Sequence, residues 1–237
     1  MANVLLGVTG SVAAIKAPDL FADLKSRGHA VKVVATAAAR YFFDPAALDP
    51  LPLKQGPARN PAVVVLDEDE WPGQGEGRRY QRQDPVLHIE LRRWAELLLI
   101  APLDANTLAK LAAGLADNCL TCVWRAWEPA RPVVLAPAMN TLMWQHPFTS
   151  RHLRQLAADA GAPSAPAAID LDALPDWINA HCPRLRIASP VSKRLACDDV
   201  GVGAMADLPT ILTLVEAMLA GATAPPDLGE RGVSTPR

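Results

Sequence analysis

Five short runs of valine, leucine and isoleucine, each separated from the next by sequence of a different period, constrain this chain more than any other feature. They are VLLGV (Val4 to Val8), VKVVAT (Val31 to Thr36), AVVVL (Ala62 to Leu66), ELLLIA (Glu96 to Ala101) and VVLA (Val133 to Ala136). None alternates cleanly between apolar and polar residues, as a strand with one wet face would. Between them, SVAAIKAPDLFADLKSRG has helical apolar spacing that stops at Gly28, and 106–114 and 118–127 read as further helices. Strands apolar on both faces and separated by helices predict an α/β fold: a doubly wound, mainly parallel sheet flanked by helices, Rossmann- or flavodoxin-like. Ligands of such sheets sit beyond the carboxyl ends of the strands.

The chain has 237 residues, half of them hydrophobic and 20% charged, which suits one domain with a sizeable core. The expected domain is 1–220, and GATAPPDLGERGVSTPR (221–237) reads as a disordered tail. Three stretches, 44–60, 72–84 and 161–168, read as loops, the first two flanking the acidic LDEDEW and the third running into a short helix, LDALPDWINAH (171–181). The 23 Lys and Arg against 25 Asp and Glu give a net charge of −2. No basic excess points to nucleic acid or anionic lipid, and no apolar run reaches the length of a membrane span, so a small-molecule ligand and a cytoplasmic location are expected. Four cysteines make no disulfide framework. Cys119 and Cys122, in CLTC, are placed mid-helix and expected to be buried packing, with no metal site.

Chemistry concentrates at strand ends. In GVTGSVAA, Gly10 allows a tight turn and Ser11 adds a hydroxyl beside the free amides of a helix start, a place for phosphate; the spacing is neither a Walker loop nor a full dinucleotide fingerprint. In APLDANTLAK, Asp104, Asn106 and Thr107 offer donors and acceptors, or Asp104 or Asn106 simply caps a helix. PAMNTLMW joins the adaptable Met139 and Met143 to Asn140, which either binds a carboxylate or caps a helix. His88 in VLHIELRRW suits proton transfer or a structural role, and Cys197, beside Lys193 and Arg194, sits where a thiol would be reactive.

Together TGSVAAIK, DEDEW, HIELRRWAELLLIAPLDANTLAKLAAGLADN, LTCVWRAW, PAMNTLMWQHPFT and KRLAC followed by GAMA resemble the flavin-containing cysteine decarboxylases, in particular those acting on 4′-phosphopantothenoylcysteine. The resemblance implies FMN as cofactor and a homotrimer, or a multiple of trimers, with the flavin near subunit contacts. It assigns Gly10, Ser11, Val12 and Thr36, then Ala105, Asn106 and Thr107, and finally Ala138 and Met139 to the cofactor. His88, Asn140 and Cys197 fall on the catalytic set, with Asn140, Met143, Lys193, Arg194 and Ala196 on the substrate. A regulatory relative that binds protein phosphatases is the alternative it admits. The chain departs from the family in TAAAR after the second strand, in Asp104, in Asp198 after the cysteine, and in a longer stretch 161–190, expected to be an inserted surface loop.

Overall fold

The computed structural model describes residues 1–53, 56–71, 73–194 and 200–222. In chain order the strands are β1 (Asn3–Val8), β2 (Ala30–Ala35), β3 (Pro50–Leu53), β4 (Gly56–Arg59), β5 (Val64–Leu66), β6 (Leu97–Leu103), β7 (Val133–Pro137), β8 (Leu185–Ile187), β9 (Val191–Arg194) and β10 (Val200–Ala204). The helices are α1 (Ala17–Ser26), α2 (Leu87–Trp94), α3 (Ala105–Ala113), α4 (Cys119–Arg125), α5 (Thr141–Gln145), α6 (Pro147–Asp159), α7 (Leu174–His181) and α8 (Leu208–Ala222).

Six strands form one sheet in the order β5-β2-β1-β6-β7-β8, and every pairing within it is parallel. The chain therefore builds outward from β1 to one edge, returns, and builds outward from β6 to the other. The reversal leaves a crevice between the carboxyl ends of β1 and β6, where the loops that follow them diverge.

The missing alternation is explained by two cores. Along β6, Leu97, Leu99 and Ala101 enter one core, while Leu98, Ile100 and Leu103 enter the other. Period two runs from Leu97 to Ala101 and slips before Leu103, where the register with β7 shifts, and both faces are apolar. Leu20, Phe21 and Leu24 of α1 with Ile211, Leu212 and Val215 of α8 cover the first face. Leu91, Leu108, Leu120, Leu153 and Ile178, from α2, α3, α4, α6 and α7 in turn, cover the second. Truncating a fully buried leucine such as Leu99 to alanine costs about 2–5 kcal/mol.

Three expectations need correction. The stretch 44–60 is not all loop, because β3 and β4 pair antiparallel outside the main sheet, a setting that tolerates the missing donors of Pro50 and Pro52. The stretch 161–190 is not simply an inserted loop: buried Leu174, Ile178, Leu185 and Ile187 make α7 and the edge strand β8 part of the second core. Cys119 does not lie mid-helix; it opens α4 behind the N-cap Asn118. Of the expected tail 221–237, Gly221 and Ala222 complete α8, and 223–237 lie outside the described residues.

Candidate active site

Three neighbouring strands, β1, β6 and β7, each end in a capped helical start, and these starts converge. After β1, Ser11 caps the 3-10 turn Val12–Lys16, accepting from Ala13 N–H. After β6, Asp104 Oδ1 accepts from Thr107 N–H at 2.7 Å. After β7, Asn140 Oδ1 accepts from Leu142 N–H at 2.8 Å. Capping and cleft lining are thus not alternatives for Asp104 and Asn140, since the same residues do both. A buried threonine ties the first two loops together: Thr9 Oγ1 donates to Pro102 O and accepts from Asp104 N–H, both at 2.8 Å.

Between these starts lies a cleft of about 640 Å3, within the usual range for small-molecule sites. Gly10, Ser11, Val12, Ala105, Asn106, Ala138, Met139, Asn140 and Met143 all line it, so most of the site expected from sequence is brought together. Convergent helix starts leave unpaired amides that favour an anion, while Val12, Met139 and Met143 supply apolar wall. Gly10 is required by crowding rather than by a left-handed turn: a Cβ there would stand 2.6 Å from Ala38 Cβ.

The fourth wall was not foreseen. Gly203, Ala204 and Met205 of β10 and its exit line the cleft, and Met139 N–H donates to Gly203 O at 2.9 Å. Gly203 has φ +148°, and a side chain there would collide with the Met139 carbonyl. This packing seats the β9–β10 hairpin against Met139 to Thr141. Lys193 and Arg194 lie on β9 with their side chains outside the description, and Ala196, Cys197 and Asp198 fall outside the described residues. Trp144, 1% exposed, anchors the corner from below, its indole N–H donating to Asp172 at 3.3 Å.

Three expected residues do not line the cleft. Thr107 is buried in α3. Thr36 is buried behind the turn 37–41, and its hydroxyl has no hydrogen-bond partner among the described residues. His88 stands near the start of α2, where its Nδ1 meets Glu70 Oε1 at 2.5 Å and its ring meets Trp71 edge-on at 6.3 Å between centroids.

The acidic run that encloses Glu70 is not a solvated face. Asp67 accepts from the amides of Ala37 and Cys119, and burial nevertheless raises its pKa above the usual carboxylate value. Glu68 pairs with Arg40, and Asp69 pairs with Arg59 at 2.7 Å. Burial, then the charge of Glu70, pushes the Cys122 thiol up to about 11. Cys119, wholly buried, is pushed up further by the same two causes. The expectation of packing cysteines holds for Cys119, whereas Cys122 is only half-buried.

A family model described as Flavoprotein matches residues 1–220. The chain is 42% identical over 218 residues to the phosphopantothenoylcysteine decarboxylase of Mus musculus, covering 92% of this chain and 87% of that one. Among solved structures, a cysteine-to-serine variant of PPC decarboxylase complexed with pantothenoylaminoethenethiol is similar at 40% identity and TM-score 0.69, over 92% of this chain and 98% of that chain. The FMN binding protein AtHal3 is similar at 41% identity and TM-score 0.65, over 91% and 95% of the two chains.

Proposed function

This chain belongs to the flavoprotein family, and from that premise we propose that it is an FMN-dependent phosphopantothenoylcysteine decarboxylase. It converts 4′-phosphopantothenoylcysteine to 4′-phosphopantetheine and CO2, a step of coenzyme A biosynthesis. The observation that carries this reading is the cleft at the sheet's reversal point, walled by three capped helix starts and the Met139–Asn140 corner. Support for the cofactor comes from the same place: apolar walls suit an isoalloxazine ring, and the Ser11 turn suits a phosphate. When bound, FMN supplies the two-electron sink that a cysteinyl carboxylate lacks.

The chain's own residues orient the substrate and move its protons. Asn140, its carbonyl oxygen held by Leu142 N–H, meets the substrate carboxylate through its amide nitrogen. Such a bond to a charged group contributes about 1.5–3 kcal/mol. A cation in its place would hold the carboxylate more firmly than the neutral CO2 that leaves, and binding of that kind opposes the step. Met143, Lys193, Arg194 and Ala196 complete the substrate contacts, and Cys197 returns the final proton.

His88 serves the cleft of a second copy. It does not line the cleft of its own chain, and that cleft's rim exposes Val12, Ile15 and Met143, apolar side chains that a neighbouring subunit would cover. We take the assembly to be a homotrimer or a multiple of trimers, as the family resemblance implies, acting in the cytoplasm as one domain over 1–220. No helix among the described residues is long and apolar enough to cross a membrane. The test is to purify the protein, record its visible spectrum, and measure CO2 and thiol product from phosphopantothenoylcysteine. A flavin spectrum and stoichiometric products are expected; a protein that cannot be loaded with FMN and releases no CO2 overturns the proposal.

A further inference from the structure

The function proposed above uses His88 and leaves Glu70 without a task. Glu70 is 3% exposed, and a carboxylate so deep is costly unless it is paired. Its Oε1 stands 2.5 Å from His88 Nδ1. The half-buried Cys122 thiol is close on another side: a ligand atom from each of Glu70, His88 and Cys122 lies within 4.8 Å of the other two. Two readings compete, a metal site and a hydrogen-bonded dyad. The dyad is favoured because the Nδ1 that a metal would need is already held by the carboxylate at 2.5 Å, closer than two ligand atoms of one tetrahedral metal ion stand to each other. The other charged groups of this region have their own partners: Asp67 the amides of Ala37 and Cys119, Asp69 the Arg59 guanidinium, and Asp117 the Lys110 ammonium.

We propose that Glu70 is the positioning residue of His88: its carboxylate accepts the Nδ1 proton, so that Nε2 is the nitrogen that exchanges a proton with the substrate. The two ring nitrogens are distinct, and a buried carboxylate on one of them selects both the tautomer and the ring plane. Trp71, adjacent in sequence, meets the ring edge-on and limits its rotation from another side. The acidic pentad DEDEW thereby contributes to the site through Glu70 and Trp71, which act on the histidine rather than on the substrate.

This inference rests on the assignment of proton handling to His88, and the experiment separates the two. Long-range proton–nitrogen spectra of histidine-labelled holoenzyme, with the His88 signals assigned by loss in His88→Asn, report the tautomer without reference to turnover. In the wild type, Nδ1 should carry the proton throughout the neutral range. In Glu70→Gln the Nδ1 signature should shift toward the other tautomer and kcat should fall on the order of 100-fold, the lower end of what a positioned acid–base group contributes. KM and FMN content should stay within about twofold. Glu70→Asp, which keeps the charge, should recover part of the lost kcat, and it stands in should the glutamine variant not fold. An unchanged tautomer with unchanged kcat in the folded variants overturns the role of Glu70. A shifted tautomer beside a fully active His88→Asn shows instead that His88 handles no proton, and the positioning role falls with it.

Discussion

Two cavities at opposite ends of the main sheet are similar in size, and they differ in what their polar groups do. The cleft at the carboxyl ends of β1, β6 and β7 measures about 640 Å3. A second, of about 530 Å3, is lined by Trp124, Trp127, Arg131, Arg184 and the starts of β7 and β8 at Val133 and Leu185, which places it at the amino ends of the strands. In the second cavity much of the polar lining is spent on the protein itself. Arg131 donates to Arg92 O at 2.6 Å and Ala95 O at 2.7 Å, and Trp124 donates to Leu111 O at 3.2 Å. In the first, helix starts converge with amides that have no intrahelical acceptor. Volume does not separate the two; strand direction does, because a parallel sheet delivers its helix starts to one end.

The sharpest way to break this contrast is Asn140→Asp. A second carboxylate facing the substrate's own should lower decarboxylation by about 100-fold or more while FMN stays bound, read from CO2 release and the visible spectrum; normal turnover would remove Asn140 from the site. Next is Gly10→Val. With Ala38 Cβ 2.6 Å from the first added atom, the turn must shift, and FMN retention after gel filtration should weaken by about tenfold, roughly 1.4 kcal/mol.

Helix α4 lines the amino-end cavity with Trp124 and Arg125 and sets Cys122 beside Glu70. Its thiols give a pH test of how tightly it is held. In the unfolded chain they ionise near 9.0, while burial keeps the folded thiols protonated to higher pH. The unfolded state therefore loses protons first, and stability must fall as pH rises above 9.0, through about 11 for Cys122 and beyond for Cys119. The slope from Cys119 is at most about 1.4 kcal/mol per pH unit. Thermal melts from pH 8 upward should show the decline, and Cys119→Ala should flatten it. The smallest effect is expected from Arg184→Ala in the amino-end cavity, where kcat and FMN content should both stay within about twofold; a large loss of turnover would erase the distinction between the two ends.

Most of the cleft was legible because it is local. Gly10, Ser11, Asn106, Met139 and Asn140 each sit just after an apolar run, where a strand must end and a helix begin, and the same signal locates the cap. What escaped notice came from distance. Gly203 reaches Met139 from a hairpin that follows β8, and the glycine spacing of GVGAMA was the one hint of a close approach. Glu70 lies 18 residues before His88, inside a run of acids whose composition reads as solvent-facing. The stretch 161–190 looked like an insertion because its core residues, Leu174, Ile178, Leu185 and Ile187, are spread among prolines and alanines.

The linear order of residues was enough to establish a parallel α/β sheet, its two-sided burial and the strand ends at which chemistry gathers, since each follows from short-range periodicity and turn propensity. Which strand ends become neighbours, which acid of DEDEW meets the histidine, and which glycine admits the hairpin were decided only in three dimensions. Those pairings depend on the crossover paths and on close packing between elements far apart in the chain, and neither leaves a periodic trace in sequence.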